Sequence, residues 1–254
     1  MKIATWNINS IRARTPRVLE WLHAHQPDAL CLQETKCTDE QFPFREIQDA
    51  GYRVEHFGQK SYNGVAFITK EPVRAVRRNL GDDDEQSRLL SAEYGGFRLV
   101  TVYAPNGQSV DSPAYVYKLD WYARLQRWLA ATRSELPTVV CGDFNVAPAD
   151  IDTWDPRLWS GQTLCTPRER EAFSSLCKGT ALVDLFRSKH AEPGHYSWWD
   201  YRAGAFRKNQ GLRIDHLLVS PPLLERCTAV EIDRTARAAE SPSDHAPVWA
   251  TFTA

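Results

Sequence analysis

Short runs of apolar residues, many of them β-branched, recur along the chain and are separated by residues that favour turns. Each run has the length of a β-strand, and most of them end at Gly, Pro, Asn or Asp. We therefore predict strands over residues 2–7, 29–33, 64–69, 97–103, 138–142, 214–220 and 248–253.

Two segments between these runs repeat apolar residues at three- and four-residue steps, which is the spacing of one helix face. In residues 15–25, Thr15 offers an N-cap and Pro16 stands at the first helical position. Residues 115–133 carry a longer apolar stripe that includes Leu125. Strands interleaved with helices indicate an α/β protein with mixed sheets and with helices outside.

Composition limits the function. The 254 residues are 43% hydrophobic and 25% charged, so the chain can bury a substantial core, and nothing forces a division of residues 1–254 into more than one domain. The 31 basic and 32 acidic residues leave a formal net charge of −1. Bulk charge therefore gives no argument for a nucleic-acid partner, and any surface that binds DNA must be local.

Cysteine usage and hydropathy indicate the compartment. The six cysteines form no C-x-x-C pair and several lie inside apolar runs, which favours reduced, buried thiols over disulfides or a zinc site. The chain opens on a predicted strand, which leaves no room for a signal peptide, and no apolar stretch approaches the ~18 residues that span a bilayer. We therefore expect a cytoplasmic protein that does not bind a membrane.

Chemically useful side chains stand at the ends of the predicted strands. They are Asn7, Glu34, Tyr103, Asn106, Asp143, Asn145, Asp215, Asp244 and His245. Strand termini place side chains at one rim of a sheet, where α/β proteins build their sites. Each residue alone has an ordinary structural interpretation as a turn, cap or core residue. Their recurrence over separate segments indicates convergence on one divalent cation and one phosphate.

With these residues in view, the sequence resembles the exonuclease III family of the endonuclease/exonuclease/phosphatase superfamily, from Met1 to Ala254. The matching blocks are Thr5-Trp6-Asn7-Ile8-Asn9, Leu32-Gln33-Glu34-Thr35-Lys36, residues 86–93, Tyr103-Ala104-Pro105-Asn106-Gly107, Gly142-Asp143-Phe144-Asn145, residues 196–202, residues 211–215, and Ser243-Asp244-His245-Ala246-Pro247-Val248. The Asp143 and Asp244 blocks alone indicate only the superfamily, whereas the Tyr103, Trp198 and Arg213 blocks narrow the resemblance to its DNA-repair nucleases. Animal relatives carry a larger aromatic residue at the position of Leu212, so in this respect the chain resembles the bacterial form.

The resemblance implies a fold and an activity. The fold is a four-layer α/β sandwich, in which two mixed β-sheets pack face to face with helices outside, and the site lies where both sheets end. The activity is Mg²⁺-dependent hydrolysis of the DNA backbone 5′ to abasic sites, with 3′-to-5′ exonuclease and 3′-end-trimming action. The expected partner is double-stranded DNA with abasic sites or 3′ ends, and a monomer is the default. The balance among these activities stays open.

The same resemblance assigns the metal ligands. Glu34 is the principal ligand, and Asn7 and Asp244 lie in or near the same shell. Mg²⁺ is the expected cation, with Mn²⁺ as a substitute, because Mg²⁺ prefers hard oxygen ligands and is commonly held by one or two carboxylates together with substrate phosphate. The number of metal ions stays open.

Two assignments of the general base stay open as well. In the first, Asp143 orients or deprotonates the attacking water, and His245, oriented by Asp215, hydrogen-bonds the scissile phosphate. In the second, His245 and Asp215 form the base, and Asp143 serves the leaving group or a second metal ion. In both, further contacts to the phosphate come from Tyr103, Asn7, Asn106 and Asn145.

Residues 202–213 form a locally basic segment. It contains Arg202, Arg207, Lys208 and Arg213 and no acidic residue. Such a patch contacts phosphates and positions a duplex without reading its sequence. The resemblance adds a pocket for a base-less sugar, lined by Trp198, Leu212 and Ile214, which an intact nucleotide does not fit.

Two other functions remain as alternatives. One is a phosphatase or phosphodiesterase of the superfamily that acts on a non-DNA phosphoester, and the basic segment 202–213 argues against it. The other is a DNA-binding protein of the same fold without catalysis, and the full set of Glu34, Asp143, Asp215 and His245 argues against it.

Overall fold

The structure is a computed structural model and describes residues 1–253. Its strands, in chain order, are β1 (Lys2–Asn7), β2 (Ala29–Gln33), β3 (Arg53–Phe57), β4 (Val65–Thr69), β5 (Arg74–Arg78), β6 (Leu89–Tyr94), β7 (Phe97–Tyr103), β8 (Thr138–Asp143), β9 (Val183–Asp184), β10 (Asp215–Val219), β11 (Cys227–Ile232) and β12 (Val248–Phe252). They form two six-stranded sheets, the first in the order β11-β12-β1-β2-β4-β3 and the second in the order β5-β6-β7-β8-β10-β9. Both sheets are mixed, because β1 and β2, and likewise β7 and β8, pair in parallel while the other neighbours are antiparallel.

Helices connect the strands. In chain order they are α1 (Ile11–His25), α2 (Phe44–Asp49), α3 (Pro113–Ala131), α4 (Pro156–Trp159), α5 (Pro167–Thr180), α6 (Leu185–Lys189), α7 (Pro222–Arg226) and α8 (Arg234–Ala238), with short 3-10 helices at Asp39–Gln41 and Asp150–Asp152.

Three apolar layers hold these elements together. Between the sheets, Phe67 of the first sheet and Leu99 of the second belong to one buried cluster. On the outer face of the first sheet, a second cluster includes Trp21 of α1. On the outer face of the second sheet, a third includes Leu125 of α3 and Phe173 of α5. The predicted four-layer α/β sandwich is confirmed.

Burial on both faces explains which strands the sequence revealed. In β2, β4 and β10 every residue is buried, so their sequences are mostly apolar and do not alternate with polar residues. The prediction missed β3 and β5, which are partly or fully exposed, the amphipathic β11 and the two-residue β9. It also missed β6, a buried strand whose sequence Leu-Leu-Ser-Ala-Glu-Tyr has no β-branched residue.

The predicted helix boundaries need correction. The first helix begins at Ile11, and it has a kink at Arg14, whose φ is −129°. Thr15 is therefore not an N-cap: its hydroxyl donates to the Ile11 carbonyl at 2.9 Å. The second helix begins at Pro113, where the Ser112 hydroxyl accepts from the Tyr115 backbone N–H.

The six cysteine thiols are all free, and five of them are buried. Over residues 1–253, no helix combines the length and the apolar character that crossing a bilayer requires.

Candidate active site

The pairing of the strands brings the predicted site residues to one rim. Asn7 and the residue before Glu34 are partners at the ends of the parallel strands β1 and β2. In the second sheet, Tyr103 and Asp143 are partners at the ends of β7 and β8, and Asp215 at the start of β10 is also a partner of Asp143. The segment before β12 reaches the same rim, because β12 runs antiparallel to β1.

The deepest part of the rim is a carboxylate–imidazole–carboxylate array. His245 Nδ1 lies 2.8 Å from Asp215 Oδ2, and His245 Nε2 lies 3.8 Å from Asp143 Oδ2. The three side chains are at most 5% exposed. The Ser197 hydroxyl donates to Asp215 Oδ2 at 2.6 Å, which fixes the carboxylate that orients the imidazole. Sequence reasoning did not identify Ser197.

Asp143 is held by two amides. Asn145 donates from its backbone N–H to Asp143 Oδ1 at 2.8 Å and from Nδ2 to Oδ2 at 3.2 Å. Asn7 Nδ2 donates to Asp143 Oδ2 at 2.9 Å and to Glu34 Oε1 at 2.8 Å. Asn7 therefore joins the two sheets by bridging the carboxylates of Asp143 and Glu34.

The charges in this array depend on one another. Burial alone would lower the pKa of His245, but the carboxylates of Asp215 and Asp143 outweigh it and raise the pKa to about 10. Burial raises the pKa of Asp143, and the charge of His245 opposes that rise. The two carboxylates therefore favour the charged form of the imidazole, which is hydrogen-bonded to Asp215 through Nδ1 and lies close to Asp143 through Nε2.

Tyr103 faces Glu34 from the second sheet. Burial, followed by the charges of Glu34 and Asp143, raises the pKa of its phenol well above the usual value. The guanidinium of Arg88 lies over the Tyr103 ring, 5.0 Å from the ring centroid. The phenol is therefore neutral and can donate a hydrogen bond.

A cation already lies against Glu34. The ammonium Nζ of Lys36 is 2.6 Å from Glu34 Oε2 and 2.6 Å from Asn9 Oδ1. Asn9 Nδ2 in turn donates to Asp244 Oδ1 at 2.9 Å. Asn9 and Lys36 were not predicted as site residues, although each stands two residues after one that was.

Asp244 is an ionised carboxylate in this arrangement. Burial would raise its pKa, but the charge of His245 and the hydrogen bonds from Trp198 and Asn9 lower it. Trp198 Nε1 donates to Asp244 Oδ2 at 2.9 Å. The Lys36 ammonium thus contacts one carboxylate and one amide oxygen, and Asp244 lies on the other side of the Asn9 amide.

These residues fit a hard divalent cation. The donor set consists of oxygens, and the Lys36 ammonium is a stand-in charge beside Glu34. Asn7 Oδ1 accepts the Asn9 backbone N–H at 3.0 Å, and Asn7 Nδ2 donates to Glu34. Asn7 therefore also orients the carboxylate that is predicted to be the principal metal ligand.

Asn106 and Asn145 are hydrogen-bonded to each other, and the backbone of both is held by a buried lysine. Asn106 Nδ2 donates to Asn145 Oδ1 at 3.0 Å. The buried ammonium of Lys118 donates to the Asn106 carbonyl at 3.0 Å and to the Asn145 carbonyl at 2.7 Å, and it forms an ion pair with the buried Glu169. Lys118 and Glu169 were missed because a lysine and a glutamate in amphipathic helices predict a solvated face.

The apolar residues predicted to receive a sugar do lie together. Trp198, Leu212 and Ile214 share a cluster with Trp159 and Leu164. Leu212 is fully buried and pairs through its backbone with Trp198, so it supports the tryptophan and does not itself face an open pocket. Trp198 and Trp159 are the partly exposed members.

The basic segment 202–213 divides into two parts. Arg202, Arg207 and Lys208 are exposed, and none of them forms an ion pair within residues 1–253. The expectation for Arg213 is wrong, because this side chain is fully buried.

The buried Arg213 guanidinium is already neutralised. It lies 2.7 Å from Asp152 and 2.7 Å from Asp184, and it donates to His216 Nδ1 at 2.8 Å. It is therefore a structural cation and not a phosphate contact.

Comparison with known proteins agrees with this geometry. The pattern of the Endonuclease/Exonuclease/phosphatase family matches residues 4–245. Exodeoxyribonuclease III of Haemophilus influenzae is 38% identical over 267 residues, which cover 99% of this chain and 100% of that protein.

Solved structures agree as well. The 3′ phosphatase NExo from Neisseria, in its complex with a product DNA hairpin, has a TM-score of 0.97 to this chain at 40% identity, with 100% of both chains covered. An AP endonuclease from Archaeoglobus fulgidus has a TM-score of 0.97 at 38% identity, also with 100% of both chains covered. The chain therefore belongs to the endonuclease/exonuclease/phosphatase family.

Proposed function

We propose that this protein is a Mg²⁺-dependent DNA-repair phosphodiesterase that cuts the backbone 5′ to abasic sites and removes residues or phosphates from 3′ ends. One observation carries the proposal: a buried imidazolium lies between Asp215 and Asp143, and Asn7 connects Asp143 to the Glu34 carboxylate. A general base (Asp143), a hydrogen-bond donor to the phosphate (His245) and a metal ligand (Glu34) would thus all be within reach of one phosphoester. The names of the related nucleases support DNA as the substrate.

The geometry favours Asp143 as the general base. Its carboxylate is held by Asn7 and Asn145 and can accept a proton from water. The raised pKa of His245 argues against the alternative assignment, because an imidazolium has no free lone pair to accept that proton. Asp143 would orient the water for in-line attack at phosphorus, opposite the leaving 3′ oxygen.

His245 would donate its Nε2 proton to a non-bridging oxygen of the phosphate. Asp215 keeps the imidazole charged and oriented through the bond at Nδ1. The neutral phenol of Tyr103 and the amide of Asn106 would add donors from the second sheet. A preorganised donor of this kind contributes roughly 2.7–4 kcal/mol to transition-state stabilisation.

Glu34, supported by Asp244 on the other side of Asn9, would hold the cation. When bound there, Mg²⁺ supplies charge neutralisation at the phosphate. The ammonium of Lys36 must then leave Glu34, and a phosphate oxygen is a suitable new partner for it. Mn²⁺ would substitute, because it accepts the same oxygen ligands.

DNA would be held by exposed cations and selected by shape. Arg202, Arg207 and Lys208 would contact backbone phosphates without reading sequence. Trp198 and Trp159, supported by Leu212, would form the apolar wall against which a base-less sugar fits. We further propose a monomer that acts in the cytoplasm through a single catalytic domain.

The test is incubation with Mg²⁺ of a duplex that carries one tetrahydrofuran abasic analogue, beside an undamaged blunt duplex. We expect scission 5′ to the analogue, loss of scission in EDTA and its return with excess Mg²⁺. Undiminished cleavage in EDTA would refute the metal requirement. Binding without cleavage would favour a non-catalytic DNA-binding protein, and absence of binding would favour a non-DNA phosphoester.

A further inference from the structure

A second group of metal-binding side chains lies in the segment that follows α6, outside the array described above. It consists of His190, Glu192 and His195, which we call the His190 cluster. His190 Nδ1 lies 3.3 Å from Glu192 Oε1, and His195 Nε2 lies 3.0 Å from the same oxygen. The three ligand atoms all lie within 4.8 Å of one another.

The tautomer of His190 leaves a lone pair directed into this cluster. His190 Nε2 lies 2.9 Å from the Val230 carbonyl oxygen, and a carbonyl only accepts, so Nε2 carries the proton. In the neutral ring, Nδ1 then presents its lone pair to the Glu192 carboxylate. A cation must lie between two electron-rich atoms at this distance: either a proton on Nδ1, which makes the contact an ion pair, or a metal ion. A backbone carbonyl on the outer nitrogen is also the usual partner of a metal-bound histidine.

The backbone of the segment is preformed. Arg187 Nη1 donates to the carbonyls of His190 at 3.1 Å and Glu192 at 2.9 Å. Pro193 precedes Gly194, whose φ of +91° is typical of a Pro-Gly turn and returns the chain toward Glu192.

The imidazole rings are also held in place. The ring of Phe186 stacks on His190, with centroids 4.3 Å apart and an interplanar angle of 24°. Phe186 also contacts the edge of His195, with centroids 5.4 Å apart. Little reorganisation is therefore needed to bind an ion.

The spacing and the ligand types select the ion. Ligands 2.0–2.1 Å from a tetrahedral zinc ion stand about 3.3 Å from one another. The two N···O separations of 3.0 and 3.3 Å agree with that value. Two imidazoles and one carboxylate suit Zn²⁺ and its neighbours in the transition series, whereas Mg²⁺ prefers an all-oxygen shell. The exposure of the Glu192 side chain, 58%, leaves room for water as the fourth ligand.

We propose that His190, Glu192 and His195 form a second metal site that takes Zn²⁺ or a similar divalent transition-metal ion. The site would tie the segment after α6 to the edge strand β11 through the Val230 carbonyl. It differs in ligand type from the oxygen site at Glu34, so that the two sites select different ions.

The test is calorimetric titration of the whole protein with ZnCl₂ in the presence of excess Mg²⁺, which occupies the oxygen site. The variants are His195→Ala, at a half-buried position, and Glu192→Gln, at an exposed one. His23→Ala, an exposed histidine of α1, is the matched control. We expect wild type and His23→Ala to bind one Zn²⁺ that both test variants bind about 10-fold more weakly or not at all.

Co²⁺ in place of Zn²⁺ gives a second readout, since imidazole-bound tetrahedral cobalt absorbs in the visible region. We expect this absorption in wild type and His23→Ala and its loss in His195→Ala. Identical zinc isotherms for wild type and both test variants would overturn the proposal, because any zinc bound would then be held elsewhere. Absence of zinc uptake by wild type would overturn it as well.

Discussion

Asp143 and His245 are the residues on which the proposed chemistry depends most directly, and each sets the charge of the other. The carboxylate helps to raise the pKa of the imidazole, and the imidazolium opposes the rise that burial imposes on the carboxyl. Removing either one therefore removes a functional group and also changes the charge of the group that remains.

We expect Asp143→Asn to reduce the cleavage rate by roughly 10²–10⁴-fold, because Asn cannot accept the proton of the attacking water. We expect His245→Ala to reduce the cleavage rate by roughly 10²–10³-fold, because the hydrogen-bond donor to the phosphate is lost. Single-turnover cleavage of the abasic duplex measures both rates, and duplex binding should survive.

Asp49→Asn in the exposed end of α2 is the matched control for the acidic substitution and should cleave at the wild-type rate. A near-normal rate for Asp143→Asn or His245→Ala would show that the substituted residue does not have the role proposed for it.

His216 is a buried histidine with a structural function. Its Nδ1 accepts from Arg213 at 2.8 Å, and its Nε2 donates to the Val146 carbonyl at 2.9 Å, so the ring is neutral. Burial, reinforced by the charge of Arg213, lowers its pKa from 6.5 to about 4. The stability that this depressed pKa contributes is therefore present above pH 6.5 and is lost as the pH falls toward 4.

Between pH 7 and pH 5 the unfolded chain takes up a proton at this position and the folded chain does not. We expect this linkage to remove about 2 kcal/mol from the free energy of unfolding. His216→Gln keeps a hydrogen-bond donor and an acceptor but does not titrate. Between pH 7 and pH 5 its free energy of unfolding should therefore fall by about 2 kcal/mol less than that of wild type. Urea unfolding at the two pH values measures it.

His23→Gln, at an exposed position, should keep the wild-type pH dependence. An equal loss of stability in wild type and His216→Gln would show that His216 takes up its proton in the folded protein as well.

At the level of single residues, the sequence predicted side chains that stand directly at strand ends, such as Glu34 and Asp143. It could not predict partners that depend on distant backbone, such as Ser197 beside Asp215. Arg213 illustrates the opposite error: it ends a segment, residues 202–213, that contains no acidic residue, but its neighbours in space are Asp152 and Asp184. Charge along a chain does not reveal which charges are already neutralised.

At the level of elements, α3 and α5 position the second-sheet side of the site through one buried ion pair. Lys118 of α3 reaches the carbonyls of Asn106 and Asn145, and its charge is balanced by Glu169 of α5. Glu169 also accepts the backbone N–H groups of Leu164 and Thr166. Helix packing is therefore coupled to the position of Asn106 and Asn145, the amides that we propose contact the phosphate.

We expect Lys118→Met to lower the free energy of unfolding by roughly 3–5 kcal/mol, because it leaves a buried carboxylate without its partner. The double variant Lys118→Met/Glu169→Gln should lose less free energy of unfolding than Lys118→Met, since no unpaired buried charge remains. Urea unfolding at pH 7 measures both values, with Lys178→Met on the exposed face of α5 as the control. A loss below about 1 kcal/mol, the range of exposed ion pairs, would contradict the account.

Most elements with both faces buried were predictable, although the buried strand β6 was missed. The strands that carry the site, β1, β2, β7 and β8, are almost wholly buried and were found close to their observed ends. Edge strands such as β5 are exposed, and their pairing depends on neighbours that local sequence does not specify. Hence the sequence located the rim of the site better than it located the margins of the sheets.

At the level of the whole molecule, the site exists because two sheets end at the same rim and are joined there by polar bonds. Asn7 bridges Glu34 and Asp143. One residue before Glu34, the buried Gln33 Nε2 donates to Thr5 of the first sheet and Thr101 of the second, at 2.9 Å each. These bonds fix the separation between the proposed metal ligand Glu34 on one sheet and the proposed general base Asp143 on the other.

The most direct test of this account compares Glu34→Gln with Asp143→Asn in single-turnover cleavage of the abasic duplex over a range of Mg²⁺ concentrations. If Glu34 holds the cation and Asp143 activates water, Glu34→Gln should raise the half-saturating Mg²⁺ concentration by about 10-fold or more. Asp143→Asn should lower the rate at saturation and leave the half-saturating concentration near that of wild type. A wild-type Mg²⁺ dependence in Glu34→Gln would contradict the account.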